Sequence, residues 1–179
     1  MKNTFIKLCV LSCLIQSCAS VSNIKFESQV NLQKNSLQNL NGTYQNLSSS
    51  SSNKYDHFLW HTITGQSLSK VYWKESKVIL NVKSEKKITI SLLDSLGKHV
   101  NSKNIKGKIV NGCFQPRRKF IAIPLIPILF GYSNQVSKLC LSDEKLQLAY
   151  SWNIWGFAMI NGTKSKGSWI SEHKRTVPD

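Results

Sequence analysis

KVILNVKSEKKITISLLDSLGKHVNSKNIKGKIVNGCF, residues 77–114, decides the fold. Val78, Leu80 and Val82 alternate with polar positions, and Ile88, Ile90 and Leu92 repeat the pattern. A period of two is that of a half-buried strand. Asp94-Ser95-Leu96-Gly97 is a turn, and Val100 to Val110 continues extended, kinked at Gly107. Asn111-Gly112, set between Ile109-Val110 and Cys113-Phe114, is the strongest hairpin signal in the chain, because both central residues tolerate positive φ.

Further strands are expected at about 119–125, 135–141, 145–152, 154–160 and 167–174, with turns at Ser142-Asp143-Glu144-Lys145 and Asn161-Gly162-Thr163. Short antiparallel strands at close spacing, without long intervening helices, predict a mainly β domain: one antiparallel barrel or sandwich. Leu40 followed by Asn41-Gly42-Thr43-Tyr44 resembles the opening strand of lipocalin-like barrels, where a glycine and an aromatic close one end, although the usual Trp is absent. That resemblance favours the barrel.

One helix is expected, at about 54–64. Tyr55, Phe58, Leu59, Thr62 and Ile63 share a face, Ser52 or Asn53 stands as cap, and Gly65 is the stop. His57 and His61 fall four apart on it, but no H-E-x-x-H frame or third ligand accompanies them, so they read as polar residues of an amphipathic helix and no metal is expected. The run Ser48 to Ser52 reads as a flexible loop.

FIAIPLIPILFGY, residues 120–132, is almost wholly apolar, yet too short and too proline-rich to span a bilayer as a helix. Pro124 and Pro127 cannot donate ladder bonds, so a central strand is not expected past Ala122. Three readings stay open: strand ends joined by a loop packed in the core, a loop dipping into a bilayer, and the mouth of a ligand cavity. With the turn near Ile126-Pro127, Cys113 and Cys140 stand about opposite each other, either bonded or as free buried thiols.

At the N-terminus, Lys2 and Lys7 flank no acid, Leu8 to Ile15 is a short apolar core, and Gln16-Ser17 restores polarity. That is the layout of a secretory signal. Ile15-Gln16-Ser17-Cys18 resembles the lipobox of bacterial lipoproteins. The resemblance implies cleavage after Ser17, diacylglyceryl attachment at the Cys18 thiol, and export to the cell envelope of a Gram-negative bacterium with an outer-membrane anchor. Cys9 and Cys13 then read as small apolar filler. The division expected is a leader over 1–17, a lipid-anchored tether over 18–38 and a β domain over 39–175.

The formal charge is +15, from 24 Lys and Arg against 9 Asp and Glu. Such a balance suits anionic partners. The basic residues are spread along the chain, the densest cluster being Arg117-Arg118-Lys119, and no nucleic-acid reader motif is present, so nucleic acid is not an expected partner. No G-x-S-x-G elbow, P-loop or Cys-x-x-Cys occurs, and the few acids are mostly isolated. A non-enzymatic protein without cofactor is therefore expected, with a hydrolase ranked last. Five tryptophans, Trp60, Trp73, Trp152, Trp155 and Trp169, are many for this length. They suit a barrel core or a ligand cavity. Trp152 and Trp155 bracket a turn-like Asn153-Ile154, so at least one of them is expected at a rim, and both are candidate ligand contacts. The resulting reading is a monomeric lipid-anchored module for an apolar ligand or a partner protein. Its alternative is a structural envelope lipoprotein with a filled core and a basic surface facing the membrane.

Overall fold

A computed structural model describes residues 34–53, 55–67, 74–117, 119–125, 129–142, 145–158 and 161–176. The leader, Cys18 and Trp73 lie outside the described residues. Ten strands follow a 3-10 helix at Lys34–Leu40: β1 (Gly42–Gln45), β2 (Ser50–Ser51), β3 (Lys77–Ser84), β4 (Lys87–Leu93), β5 (His99–Val110), β6 (Cys113–Pro116), β7 (Lys119–Leu125), β8 (Leu129–Ser142), β9 (Lys145–Ala158) and β10 (Asn161–Thr176). The order β1-β3-β4-β5-β6-β8-β9-β10 returns to β1, giving a closed eight-stranded antiparallel barrel. β2 adds to β10 and β7 adds to β8 outside that ring.

The alternation in the sequence supplies the lumen. Val78, Leu80 and Val82 stand opposite Leu92, Ile90 and Ile88, and all six are buried. Ile105, Phe114, Leu139, Leu141, Leu146, Leu148 and Trp169 complete the same core from the other strands. The β5–β6 hairpin turns at Asn111 and Gly112, with φ of 50° and 70°, the two left-handed residues that a tight hairpin of right-twisted strands requires. Gly107 sits opposite Pro116, and a Cβ there would lie 2.5 Å from the Phe114 ring. The missing side chain is what lets Phe114 lie across β5.

Two residue pairs close the barrel, Thr43 with Thr176 and Tyr44 with Arg175. The Arg175 guanidinium donates to the Asn41 carbonyl and lies 6.0 Å from the centre of the Tyr44 ring. Gly42 leaves it room, since a Cβ there would meet Arg175 Nε at 2.8 Å. Leu37 and Leu40 of the 3-10 helix are buried in the core, so the barrel unit begins within the segment read as tether.

The expected helix is shorter than its hydrophobic period suggests. Helix α1 spans Leu59–Thr64 and ends at Gly65, whose φ is 69°. Residues before it are held elsewhere: Asn53 Oδ1 accepts from the Tyr55 N–H at 3.3 Å and lies 2.6 Å from His57 Nε2, while Phe58 bridges to Leu47. Neither Ser52 nor Asn53 caps α1. Its first N–H groups go to Asn46, whose carbonyl accepts from Leu59 N–H (2.8 Å) and whose Oδ1 accepts from Trp60 N–H (2.9 Å). Asn46 Nδ2 in turn donates to Ser76 Oγ at 2.9 Å. Leu59, Trp60 and Ile63 enter the core, whereas Tyr55 is 75% exposed. The serine run is not a loop throughout: Ser50–Ser51 pairs with Ser171 and Glu172 of β10. Glu172 also accepts from Lys145, Gln147 and Ser50, and these bonds, that from Lys145 foremost, hold its carboxyl below the usual range.

One titratable pair is sealed inside. His173 and Ser171 are both 0% exposed; Ser171 Oγ lies 3.1 Å from His173 Nε2, and His173 Nδ1 lies 3.1 Å from the Gln45 carbonyl. Only an N–H at Nδ1 satisfies that carbonyl, so in the neutral ring Nε2 is the acceptor and Ser171 Oγ–H donates to it. Burial pushes the His173 pKa down to about 4.

Two predictions follow from this packing. Trp60→Ala leaves a cavity under α1 and costs about 3–5 kcal/mol, whereas Leu96→Ala, at a side chain 90% exposed, stays within about 0.5 kcal/mol; urea unfolding reads both. The buried neutral His173 binds its proton more readily in the unfolded chain, so stability falls as pH drops from about 6.5 towards 4. The expected loss from this residue is about 3 kcal/mol between pH 7.5 and about pH 4. In His173→Gln that share of the decline disappears, although the burial-lowered pKa of His57 keeps a smaller slope of the same sign.

Candidate functional site

The strands of the barrel are unequal, and the inequality creates the site. β8, β9 and β10 have 14, 14 and 16 residues, while β3 and β4 have 8 and 7. The surplus runs past the barrel as a sheet completed by β7. Its rows run from Lys119–Gln135–Trp152–Gly167 at the root to Leu125–Leu129–Ala158–Asn161 at the far end. Seven rows at roughly 3.3 Å each give a blade about 20 Å long.

The barrel is fastened covalently at β8, five residues below the blade's root row. Cys113 and Cys140 are joined as a disulfide beside the Phe114–Leu139 pair, with Cα atoms 4.6 Å apart. The bond closes a loop with a sequence separation of 27 that contains all of β7 and its return into β8. A loop of that length stabilises by about 3–4 kcal/mol on chain-entropy grounds.

β7 spans Lys119–Leu125, the bounds expected from the sequence, with Pro124 paired with Phe130. Among the described residues β7 pairs with β8 alone, so it is an edge strand, where a missing N–H costs no ladder bond. Trp152 and Trp155 do not flank a turn. β9 runs unbroken through Asn153 and Ile154, which pair with Asn134 and Ser133 on one side and Lys166 and Ser165 on the other. The short polar-apolar mix around Asn153 mimicked a turn because both faces of the blade carry mixed residues.

The tryptophans serve different faces. Trp152 lies across Gly167, where a Cβ would be 2.3 Å from its ring, and its Nε1 donates to Ser165 Oγ at 3.1 Å. It continues an aromatic line from the barrel interior: His57 on Trp169 (3.6 Å between centroids), Trp169 to Tyr150 (5.2 Å) and Tyr150 to Trp152 (5.9 Å). On the same face Ile121 and Ile154 are exposed, at 60% and 38%. Trp155 belongs to the opposite face, stacked with Tyr132 at 6.3 Å, in the row Ala122–Tyr132–Trp155–Lys164. Sequence reasoning singled out Trp155 and the 120–132 segment that holds Ile121 and Tyr132, but not Lys164 nor the rows these residues share, which emerge only from the register.

The lumen, by contrast, is filled. Trp60, Tyr44 and Phe114 are fully buried within it. The cavity beside α1, between Ile63, Gln135 and Tyr150, encloses about 20 Å³, room for about a single water molecule. A wider groove of about 400 Å³ lies on the outside along Gln45, Ser48 and Lys74–Lys77. Ser171 and His173 have the hydrogen-bonding of a nucleophile and its base. Their complete burial leaves a substrate no approach, and a backbone carbonyl stands where an orienting carboxylate would be. His61 is exposed with Nδ1 3.2 Å from the Gln66 carbonyl, whereas His57 stacks inward on Trp169, so the two histidines do not converge. Among the described residues no three His, Cys, Asp or Glu side chains are grouped to hold a metal. None of their helices is long and apolar enough to cross a membrane.

No family model matches the chain, and neither the curated proteins nor the solved structures contain a significant match to it.

Proposed function

We propose that the chain is an exported lipoprotein of a Gram-negative cell envelope, anchored through Cys18, that acts without catalysis by binding through its outer surface. The observation that carries the reading is the filled lumen. A barrel that carries a small apolar cargo keeps a cavity of several hundred Å³, and here Trp60, Tyr44 and Phe114 occupy that space. This favours a macromolecular partner over an enclosed ligand. The lipobox-like Ile15-Gln16-Ser17-Cys18 supports the anchor, and the disulfide supports an oxidising compartment.

A second reading, an envelope protein with a filled core and a basic membrane-facing surface, draws on the charge distribution. Residues 116–142 and 145–171 contain no Asp or Glu, though they carry Arg117, Arg118, Lys119, Lys138, Lys145, Lys164 and Lys166.

Two measurements test the proposal. Expressed at full length in a Gram-negative host fed radiolabelled palmitate, the protein is expected to take up label and sediment with outer membranes, and Cys18→Ala to do neither. Label retained by Cys18→Ala overturns the anchor. Native mass spectrometry of the exported protein is expected to give the polypeptide with its acyl groups alone. A further small molecule released on denaturation overturns the filled-lumen reading.

A further inference from the structure

We propose that the blade formed by β7 and the far halves of β8, β9 and β10 docks into the headgroup region of an anionic bilayer. Its row of Tyr132 and Trp155 then lies at the interface, with Lys164 and Lys166 on lipid phosphates. The inference concerns the blade alone and does not depend on the Cys18 anchor.

The first argument is the number of layers. A sheet in a globular domain buries at least one face against another layer. The blade is a single layer with apolar side chains on both faces: Ile121 and Ile154 on one, Tyr132 and Trp155 on the other. A protein partner of ordinary shape covers one face. A bilayer surface surrounds both.

The second argument is position along the blade. Trp and Tyr favour the membrane–water boundary, where the ring is apolar and the N–H or O–H remains hydrated. Tyr132 and Trp155 share one row, and the rows beyond it hold Ile123, Pro124, Leu125, Leu129, Phe130, Phe157 and Ala158, with Gly131, Gly156, Gly162, Thr163 and Asn161. Nothing in those outer rows is charged. Polarity and charge rise in the opposite direction, through Lys164 and Lys166 to the basic Arg117 and Lys119 at the root.

The third argument is charge complementarity. Lys164 and Lys166 are exposed, and in sequence the span from Lys119 to Ser171 includes no carboxylate apart from Asp143 and Glu144, which fall between Ser142 of β8 and Lys145 of β9, away from the blade rows. An anionic surface meets an unopposed basic field there, each lysine near the surface strengthening binding roughly fivefold.

The edges limit the depth. Among the described residues β7 and the 161–169 part of β10 have no strand neighbour on their outer sides. Unpaired backbone groups do not enter hydrocarbon. A blade of about 20 Å is also shorter than the roughly 30 Å hydrocarbon core. Docking is therefore interfacial and does not span.

The test uses the full chain with Cys18→Ala, so that no acyl group contributes, and vesicles of phosphatidylcholine with or without about one third phosphatidylglycerol. The parent is expected to co-sediment with the anionic vesicles and far less with the neutral ones. Ile121→Glu/Ile154→Glu alters two exposed side chains outside the core and is expected to weaken binding at least tenfold. Lys164→Gln/Lys166→Gln is expected to weaken it roughly tenfold or more at low salt and to lose most of that difference at high salt. Unchanged binding of the isoleucine variant overturns the proposal, because the apolar leader then accounts for the association. So does a stable dimer, seen by analytical ultracentrifugation, whose dissociation the same substitutions cause. A second readout needs no tolerance of the charged substitutions. Acyl chains brominated near the headgroup are expected to quench the parent's tryptophan fluorescence, with most of the quenching lost in Trp155→Phe. Equal quenching in the two proteins overturns the placement.

Discussion

The structure depends on how little backbone closes it. β1 is four residues long, and only Thr43 and Tyr44 pair with the end of β10. A closed barrel has no edge to protect, but an opening at this seam would expose two. Arg175 compensates for the short ladder: it reaches across the seam to the Asn41 carbonyl and packs over the Tyr44 ring, with Gly42 clearing its path. The Tyr44 hydroxyl donates to the Leu40 carbonyl at 3.2 Å, tying the 3-10 helix to the same point. Thr176 Oγ1 adds a bond to the Thr43 carbonyl at 3.2 Å. Side chains thus do at the seam what a longer strand pair does elsewhere in the ring.

Interior packing follows from that closure. Eight strands leave a bore that side chains can fill. Here the alternating aliphatics of β3 and β4 fill one wall, and α1 brings Leu59, Trp60 and Ile63 in from the loop between β2 and β3. Asn46 makes this possible by accepting the first helical N–H groups from a distance. A six-residue helix without its own capping side chain is not stable by itself; this one exists because the barrel supplies both its cap and its apolar face. The same crowding makes His173 neutral and removes it, with Ser171, from any chemistry.

Where local pattern and global structure agree, the sequence was legible. The alternation over 77–92, the Asn111-Gly112 turn and the Asn41-Gly42-Thr43-Tyr44 opening all describe features decided within a few residues, and together they support a mainly β barrel with the Gly42–Tyr44 strand at its seam. Two of the errors share one cause. The loop at Ser48–Ser52 and the turn at Asn153-Ile154 were read from their neighbours in sequence, while their conformation is set by partners more than a hundred residues away or across a sheet: Ser51 by Ser171, Asn153 by Asn134 and Lys166. For residues 55–58 the cause is different and local, since the Asn53 and Ser48 side chains accept the Tyr55 and His57 N–H groups that a helix would use. The blade was visible only as an apolar segment with two possible tryptophans. Its rows require the register, which no periodicity supplies.

The length difference between strands links fold to surface. In the barrel every strand has a neighbour on each side, and one face of each is inside. Once β8, β9 and β10 outrun β3, β4 and β5, the ring can no longer close, and the chain regains what closure removed: two edges and a second exposed face. β7 covers one side of β8 and moves the edge outward by one strand, with Pro124 reducing the donors that edge presents. The disulfide joins β6 to β8 at Cys140, on the barrel side of the point where β6 gives way to β7 along β8, so it fastens the ring beside the strand from which the blade departs. A solitary sheet of this size leaves apolar side chains exposed to water on both faces. Its aromatic row and its basic root make sense when the lumen is regarded as a solid support. The interior is spent on stability, and in the proposed reading recognition is left to the part of the sheet that the barrel cannot enclose.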